Sequence, residues 1–196
     1  MLNNFSYKVL NFIFLTRMLK DKSVSWLTDY FYGRPLIVNR INENNNNTIL
    51  NHIYKFSYKS TLIIDNIYLG NGWDASSYYD LKANNITTII NVTNEIPNYY
   101  EAEFNYFNIP VRDTIDSSMI LFFNDVLEFL KKYKNQNILI HCYHGSSRSS
   151  TIVLLHLIIN YKMSIEEGLK LLKEKREIVN LNKIFFEELK TFKENY

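Results

Sequence analysis

The sequence predicts an α/β domain built on a central, mostly parallel sheet of about four to five strands, flanked by helices. Short β-branched runs bounded by Asn, Gly or Pro are typical of buried strands. Segments with apolar residues at helical spacing follow most of these runs. Because strands and helices alternate along the chain, we expect one layered domain whose strands run largely in the same direction.

The predicted strands are short and apolar. They lie at residues 62–70, where a tight turn separates two strands, and at residues 86–92, 104–111 and 137–142. The run "ITTIINV" at residues 86–92 is rich in β-branched side chains and follows Asn85, which is typical of a buried strand.

The predicted helices follow from capping residues and apolar spacing. Asp74 is expected to cap a short helix that holds Tyr78 and Leu81, and Asp116 or Ser117 a longer helix with one apolar face. Residues 149–161 are apolar on every side, which predicts a buried central helix. Ser164 and Glu167 have capping-box spacing for a helix that ends near residue 175. We expect the last helix to begin at an Asn182 cap, with Ile184, Phe185 and Leu189 facing inward.

Composition bounds the class of protein. The 196 residues are 46% hydrophobic and 21% charged, which is typical of a globular chain that buries a core. The one cysteine excludes an intramolecular disulfide, and no apolar run reaches the ~18 residues that a spanning helix needs. We therefore expect a soluble protein of a reducing, intracellular compartment, the cytoplasm, with the nucleus left open.

Charge divides the chain into two predicted regions. Residues 1–60 carry eight Lys/Arg against three Asp/Glu, whereas residues 61–196 carry 14 against 17. We predict a basic, partly helical extension at residues 1–60 with an Asn-rich loop at residues 43–47, followed by the main domain at residues 61–196. A basic extension could bind an acidic partner, a membrane surface or nucleic acid, but charge spread over this length more often marks a solvated surface.

The stretch "HCYHGSSRSS" at residues 141–150 joins a predicted strand to the apolar helix. Backbone N–H groups in such a turn, together with the helix N-terminus, form a cradle for an anion. Gly145 supplies the backbone freedom that the turn requires, and Arg148 can bind two oxygens of a phosphate. The same positive field favours the thiolate form of Cys142. A thiolate that faces an oxyanion cradle is equipped for displacement at phosphorus through a covalent intermediate.

Two neighbours of the cysteine have predicted supporting roles. Ser149 can donate a hydrogen bond to the sulfur and help it to act as a leaving group, and His141 is better placed to brace the loop than to touch substrate. Taken singly, Cys142 could be an inert core residue and Arg148 a surface charge, but their joint spacing at a strand–turn–helix junction favours catalysis. No cluster has metal-ligand spacing, so neither a metal nor another cofactor is predicted.

The chain resembles cysteine-dependent protein tyrosine phosphatases, and specifically the dual-specificity phosphatases. The shared signature is His-Cys, five residues, Arg and Ser or Thr, which begins here at His141 and ends at Ser149. Four weaker landmarks extend the resemblance over residues 62–196: "IIDNIYLG", "ITTIINVT", "IPVRD" and "REIVNLN". The last resembles an Arg-Pro-x-x-x-Pro-Asn element from which both prolines are missing here. The resemblance implies a protein tyrosine phosphatase-like fold.

The resemblance also implies roles for individual residues. Cys142 would form a cysteinyl-phosphate, and Arg148 would hold the phosphoryl oxygens together with the backbone of the loop residues Tyr143, His144, Gly145, Ser146 and Ser147. Asp113 matches the general acid that protonates the leaving oxygen and then activates water. Asp116 is a nearby competitor, set aside because it has a plausible task as a helix cap. Asn182 is expected, with His141, to brace the loop.

The short catalytic region predicts a shallow pocket, and therefore dual specificity for phosphotyrosine and for phosphoserine or phosphothreonine in proteins. The loop interior "YHGSS" carries no Lys or Arg, which disfavours phosphoinositides. Besides phosphoproteins, we expect phosphate-like or sulfate-like anions to bind the loop.

Two alternatives stay open. His144 resembles the His-Cys-Thr-His-Gly of RNA 5′-triphosphatases, although Ser147 and Ser149 depart from their Asn-Arg-Thr and nucleic acid is the disfavoured partner. A phospho-binding pseudophosphatase would keep the fold without catalysis, but such proteins lose the cysteine or the arginine, and this chain has both.

Overall fold

A computed structural model of the protein describes residues 59–196. Its strands are β1 (Thr61–Ile64), β2 (Ile67–Gly70), β3 (Ile86–Asn91), β4 (Asn105–Asn108) and β5 (Asn137–His141). In the described residues they form one sheet in the order β1-β2-β5-β3-β4. Strand β1 is antiparallel to β2, and the other three pairs are parallel. The predicted mostly parallel α/β sheet is therefore confirmed.

Helices connect and cover the strands. Those of the described residues are α1 (Gly72–Ser76), α2 (Tyr78–Ala83), a 3-10 helix (Ile120–Phe122), α3 (Phe123–Lys132), α4 (Arg148–Asn160), α5 (Ile165–Lys175) and α6 (Lys183–Asn195). Helix α4 is buried over nearly its whole length, as its uniformly apolar sequence predicts. It begins directly after the turn that follows β5, and this junction places the candidate site.

Both faces of the sheet are covered because side chains alternate along each buried strand. In β5, Ile138 and Ile140 belong to the large apolar cluster that also contains the buried residues of α4. Leu139, between them, belongs to a second cluster with Ala75 of α1 and Leu81 of α2. All three β5 side chains are fully buried, which fixes the end of β5 firmly between two layers.

Two predicted helix caps are wrong. The helix that holds Tyr78 and Leu81 is α2, and Ser77 rather than Asp74 caps it, since Ser77 Oγ accepts the N–H of Asp80 at 3.4 Å. Asp74 lies inside the preceding helix α1, which Asn71 caps by accepting the N–H groups of Trp73 (2.9 Å) and Asp74 (3.0 Å). Asp74 instead completes a capping box by accepting the N–H of Asn71 at 2.9 Å. The prediction fails because two short helices follow β2 where one was expected, so that Asp74 belongs to the first of them.

Neither Asp116 nor Ser117 caps α3. A 3-10 helix precedes it, and neither that turn nor α3 has a side-chain cap. The N–H of Met119 donates instead to Glu188 Oε2 of α6 at 3.0 Å. A carboxylate from a distant helix thus replaces the local cap that the sequence pattern predicted.

Other local predictions hold. Ser164 and Glu167 form a capping box on α5, and the side chain of Asn182 caps α6. Strand β4 is shorter than the predicted 104–111, because the chain leaves the sheet after Asn108 and Pro110 has no N–H to donate.

The predicted extension at residues 1–60 lies outside the described residues apart from Lys59 and Ser60, and its boundary stays a prediction. Within residues 59–196, no helix is long and apolar enough to cross a membrane.

Candidate active site

The turn after β5 lies beyond the carboxyl ends of the parallel strands. Gly145 adopts a φ of 71°, in the left-handed region that favours glycine. The carbonyl of Tyr143 accepts the N–H of Gly72 at 3.2 Å, and that of Ser146 accepts the N–H of Asn180 at 2.8 Å. These bonds tie the turn to α1 on one side and to the segment before α6 on the other.

The sulfur of Cys142 lies inside this turn. The side chain is buried, and Sγ accepts hydrogen bonds from the N–H of Gly145 at 3.2 Å and from Ser149 Oγ at 3.1 Å. Both donors stabilise negative charge on sulfur, whether it attacks as a thiolate or departs as one. Ser149 thus lies where its predicted role requires.

Arg148 is the first residue of α4 and is almost completely buried. Its Nη2 donates to Glu95 Oε1 at 2.6 Å, and its Nη1 donates to Glu95 Oε2 at 3.0 Å and to the carbonyl of Val111 at 2.9 Å. Burial lowers the pKa of Arg148, but the bonds to Glu95 and the nearby negative groups outweigh it and raise this pKa above its ordinary value. The guanidinium therefore stays charged beside the turn.

Asp113 approaches the same turn from the segment after β4. Its Oδ1 accepts hydrogen bonds from Ser147 Oγ at 3.0 Å and from Asn182 Nδ2 at 3.4 Å, and its Oδ2 lies 3.9 Å from Arg148 Nε. Asp113 is partly exposed, so one carboxylate oxygen is anchored to the loop while the group still reaches solvent.

Asp116 lies in the same segment without such contacts to the turn. It does not cap α3, so a capping role cannot be the reason that Asp116 is not the general acid. A better reason is that it is fully exposed and that a hydrogen bond from Thr114 lowers its pKa. A carboxylate held in its charged form suits proton donation poorly.

Ser147 and Asn182 link the turn to the Asp113 segment. The N–H of Asn182 donates to Ser147 Oγ at 3.1 Å, and Asn182 Nδ2 donates to the carbonyl of Thr114 at 3.1 Å. The Asn182 side chain also caps α6 through the N–H of Ile184. These two residues therefore brace the loop and the candidate general acid together.

His141, Tyr143 and His144 flank Cys142 along the chain. His141 is buried, and desolvation lowers its pKa to about 4, so it is neutral at physiological pH. Burial also raises the pKa of Tyr143 to about 12. The rings of Tyr143 and His144 meet edge to face, with centroids 4.8 Å apart.

Arg176, for which the sequence pattern predicts no role, donates hydrogen bonds to the backbone of the turn. The residue is fully buried, and it donates through Nε to the carbonyl of Gly145 at 2.9 Å and through Nη2 to that of His144 at 3.4 Å. Its Nη1 reaches the carbonyl of Lys59 at 2.8 Å. Arg176 stood in the quoted "REIVNLN" segment, so its position was visible although its contacts were not.

Asp74 supplies the charge opposite Arg176. Burial raises the pKa of Asp74 to about 6, against the lowering effect of the Arg176 guanidinium. Its Oδ1 accepts the N–H of Ser60 at 2.9 Å.

Glu95 is the other site residue that the sequence pattern did not predict. Its one signal in the sequence was its position just past the end of a predicted strand.

Comparison with known proteins decides the family. The protein-family model described as "Dual specificity phosphatase, catalytic domain" matches residues 67–195 of this chain. The chain belongs to this family. Among curated relatives, Protein phosphatase Slingshot of Drosophila melanogaster is 31% identical over 134 residues, which cover 67% of this chain and 13% of the relative. Human Dual specificity protein phosphatase 1 is 33% identical over 132 residues, 66% of this chain and 36% of the relative.

Solved structures of other proteins resemble the domain as well. The structure of DUSP15 has a TM-score of 0.65 and 30% identity, and the match covers 69% of this chain and 87% of that one. The human tyrosine phosphatase-like serine/threonine/tyrosine-interacting protein, at 24% identity, has a TM-score of 0.67 over 70% of this chain and 97% of that one. The second likeness concerns the fold alone.

Proposed function

We propose that this chain hydrolyses phosphate monoesters of tyrosine and of serine or threonine in proteins through a cysteinyl-phosphate intermediate. One observation carries the proposal. The buried sulfur of Cys142 accepts hydrogen bonds from Gly145 and Ser149 inside a turn that begins a helix, with a buried arginine beside it. Membership of the dual-specificity phosphatase family supports the same reaction.

In the first step, Cys142 Sγ attacks phosphorus and the bond from phosphorus to the substrate oxygen breaks. Asp113 donates a proton to that oxygen, so that the protein leaves as a neutral hydroxyl. Arg148 and the N–H groups of the turn bind the non-bridging oxygens more strongly as charge shifts in the transition state. The product is a phosphate ester of the cysteine.

In the second step, water attacks the cysteinyl-phosphate and Asp113, now ionised, accepts a proton from that water. The sulfur–phosphorus bond breaks, and inorganic phosphate and the thiolate form. Donation from the Gly145 N–H and from Ser149 Oγ stabilises the thiolate as it leaves. Proton and sulfur thereby return to their starting states.

The proposed substrate class follows from the side chains of the turn. Tyr143 and His144 are only partly buried, and their rings contribute aromatic surface to the turn. A loop interior without Lys or Arg favours phosphoamino acids over polyphosphorylated lipid headgroups, and simple phosphate-like or sulfate-like anions should bind the same turn. We also propose a reducing, intracellular location, because a catalytic thiolate is sensitive to oxidation.

Turnover of para-nitrophenyl phosphate and of matched phosphotyrosine, phosphoserine and phosphothreonine peptides, with and without a chelator, tests the proposal. We expect turnover that the chelator leaves unchanged, that Cys142→Ser abolishes and that Asp113→Asn lowers about 100-fold on peptides. An Asp116→Asn variant is the matched control and should retain activity within about twofold.

Two outcomes would contradict the proposal. An inactive wild type that still binds phosphopeptides would identify a binding module. Release of the γ-phosphate from triphosphate-ended RNA in preference to phosphopeptides would identify an RNA 5′-triphosphatase.

A further inference from the structure

The carboxylate of Glu95 contacts the guanidinium of Arg148 through two nitrogens. The two bonds, at 2.6 and 3.0 Å, join Oε1 to Nη2 and Oε2 to Nη1. The arginine side chain is 4% exposed and that of Glu95 is 36% exposed, so the pair lies at the mouth of the site with its cation inside. Such a bidentate pair fixes the plane of the guanidinium as well as its charge.

The backbone around Glu95 is held in place. Thr93 Oγ1 donates to Asn91 Oδ1 at 2.8 Å and accepts the N–H of Ile96 at 3.0 Å. Asn91 Nδ2 donates in turn to the carbonyl of Ile96 at 2.8 Å. Asn91 is the last residue of β3, which pairs with β5 in the register Asn91 to His141. The Glu95 turn is therefore fastened to the same sheet edge as the cysteine.

The contacts of Arg148 divide its guanidinium into two edges. The edge formed by Nη1 and Nη2 is taken by Glu95, and Nη1 also donates to the Val111 carbonyl. The other edge presents Nε, which has no hydrogen-bond partner among the described residues, and the second hydrogen of Nη2. Asp113 Oδ2 lies 3.9 Å from Nε, beyond hydrogen-bond distance.

We propose that Glu95 is a positioning residue for phosphate binding. It holds the guanidinium so that the edge of Nε and Nη2 receives two oxygens of the phosphoryl group. It also neutralises the buried cation and orders its long side chain before substrate arrives. The entropy cost of ordering that side chain therefore does not weaken phosphate binding. This inference rests on the proposed function, because it assigns Arg148 to the phosphoryl group.

The opposite role would give the opposite sign. If Glu95 blocked the site by occupying the arginine, its removal would free the cation and oxyanions would bind more tightly. If it positions the arginine, its removal leaves the guanidinium free to rotate, and oxyanions bind more weakly despite the loss of a nearby negative charge. The direction of the change therefore distinguishes positioning from obstruction.

The test measures tungstate binding calorimetrically on the full chain, well below the unfolding temperature of each variant. We expect Glu95→Gln to weaken tungstate binding about tenfold, since it keeps the size of the side chain but loses one charge-assisted bond. Glu101→Gln is the matched control. It removes a charge from the same connection between β3 and β4, contacts Asn98 rather than Arg148, and should bind within about twofold of wild type.

A double-mutant cycle separates positioning from general support of the fold. In an Arg148→Lys background, the further change Glu95→Gln should alter tungstate binding by less than about twofold, because lysine has no planar edge to orient. An equal loss in both backgrounds, or unchanged or tighter binding in the single variant, would overturn the inference. Should Glu95→Gln not fold, Glu95→Asp must show the same weakening, because its side chain is one methylene shorter and cannot reach the guanidinium from the same backbone position.

Turnover by the wild type is measured separately. A wild type that binds tungstate but hydrolyses no phosphoester would refute the proposed function, while the binding cycle would still decide the role of Glu95.

Discussion

A methyl group on Gly145 would directly test the geometry of the proposed phosphate-binding turn. The residue has a φ of 71°, and a Cβ added there would lie 2.5 Å from the Gly70 carbonyl oxygen and 2.8 Å from its carbon. It would also lie 2.7 Å from Arg176 Nη2. The Gly70 atoms are backbone at the end of β2, so they cannot move aside as a flexible side chain could.

Three effects set the size of the perturbation. The left-handed conformation costs an L-residue roughly 1–2 kcal/mol. Displacing Arg176 weakens charged hydrogen bonds, of which one is worth about 1.5–3 kcal/mol. The contact with Gly70 adds to both. The strain therefore exceeds about 3 kcal/mol, and the backbone of the turn must change conformation to relieve it. We expect Gly145→Ala to lower kcat/KM by at least about 100-fold.

Para-nitrophenyl phosphate kinetics and thermal unfolding with and without tungstate would measure the effect. The matched control is Gly168→Ala in α5, where the nearest atom is Leu154 Cδ1 at 2.5 Å and the next lie at 3.7 Å. Its methyl group meets a side chain rather than the loop, so kcat/KM should stay within about twofold. Wild-type kcat/KM in Gly145→Ala would refute the reasoning from backbone geometry.

Three further predictions follow from single contacts. Ser147→Ala should lower kcat on phosphopeptides about tenfold, because Asp113 loses its 3.0 Å hydrogen bond, and an unchanged kcat would contradict this. Since the pKa of His141 falls from 6.5 to about 4 on folding, the unfolded chain binds the proton first as pH drops. This group should lower the unfolding free energy by about 2–3 kcal/mol between pH 7.5 and 4.5, and urea titrations of His141→Gln should show a smaller acid loss. Arg176→Met should lower the free energy of unfolding by about 3–5 kcal/mol in the same assay, and adding Asp74→Asn should restore part of that loss. An equal loss in the single and double variants would show that the two charges are uncoupled.

Much of the fold was predictable because the alternation of strands and helices is a local signal. Residues 149–161 are apolar on every side, and the structure has α4 at Arg148–Asn160, buried except at His156 and Asn160. Caps were less predictable where the partner is remote. The carboxylate at the start of the 3-10 turn comes from Glu188, 69 residues away along the chain.

The sequence by itself determined the region of the candidate nucleophile. Cys142, Gly145 and Arg148 lie within one strand–turn–helix, and the backbone of such a junction sets their relative positions with little help from the rest of the chain. Spacing along the chain is then equivalent to geometry in space.

Only the tertiary structure decided what surrounds that turn. Glu95 lies 53 residues before Arg148, and Arg176 lies 31 residues after Gly145, so no local periodicity relates them. They meet because β3 pairs with β5 and because the segment after α5 returns to the turn. A buried cation requires a partner wherever the fold can supply one, and packing rather than sequence spacing chooses that partner.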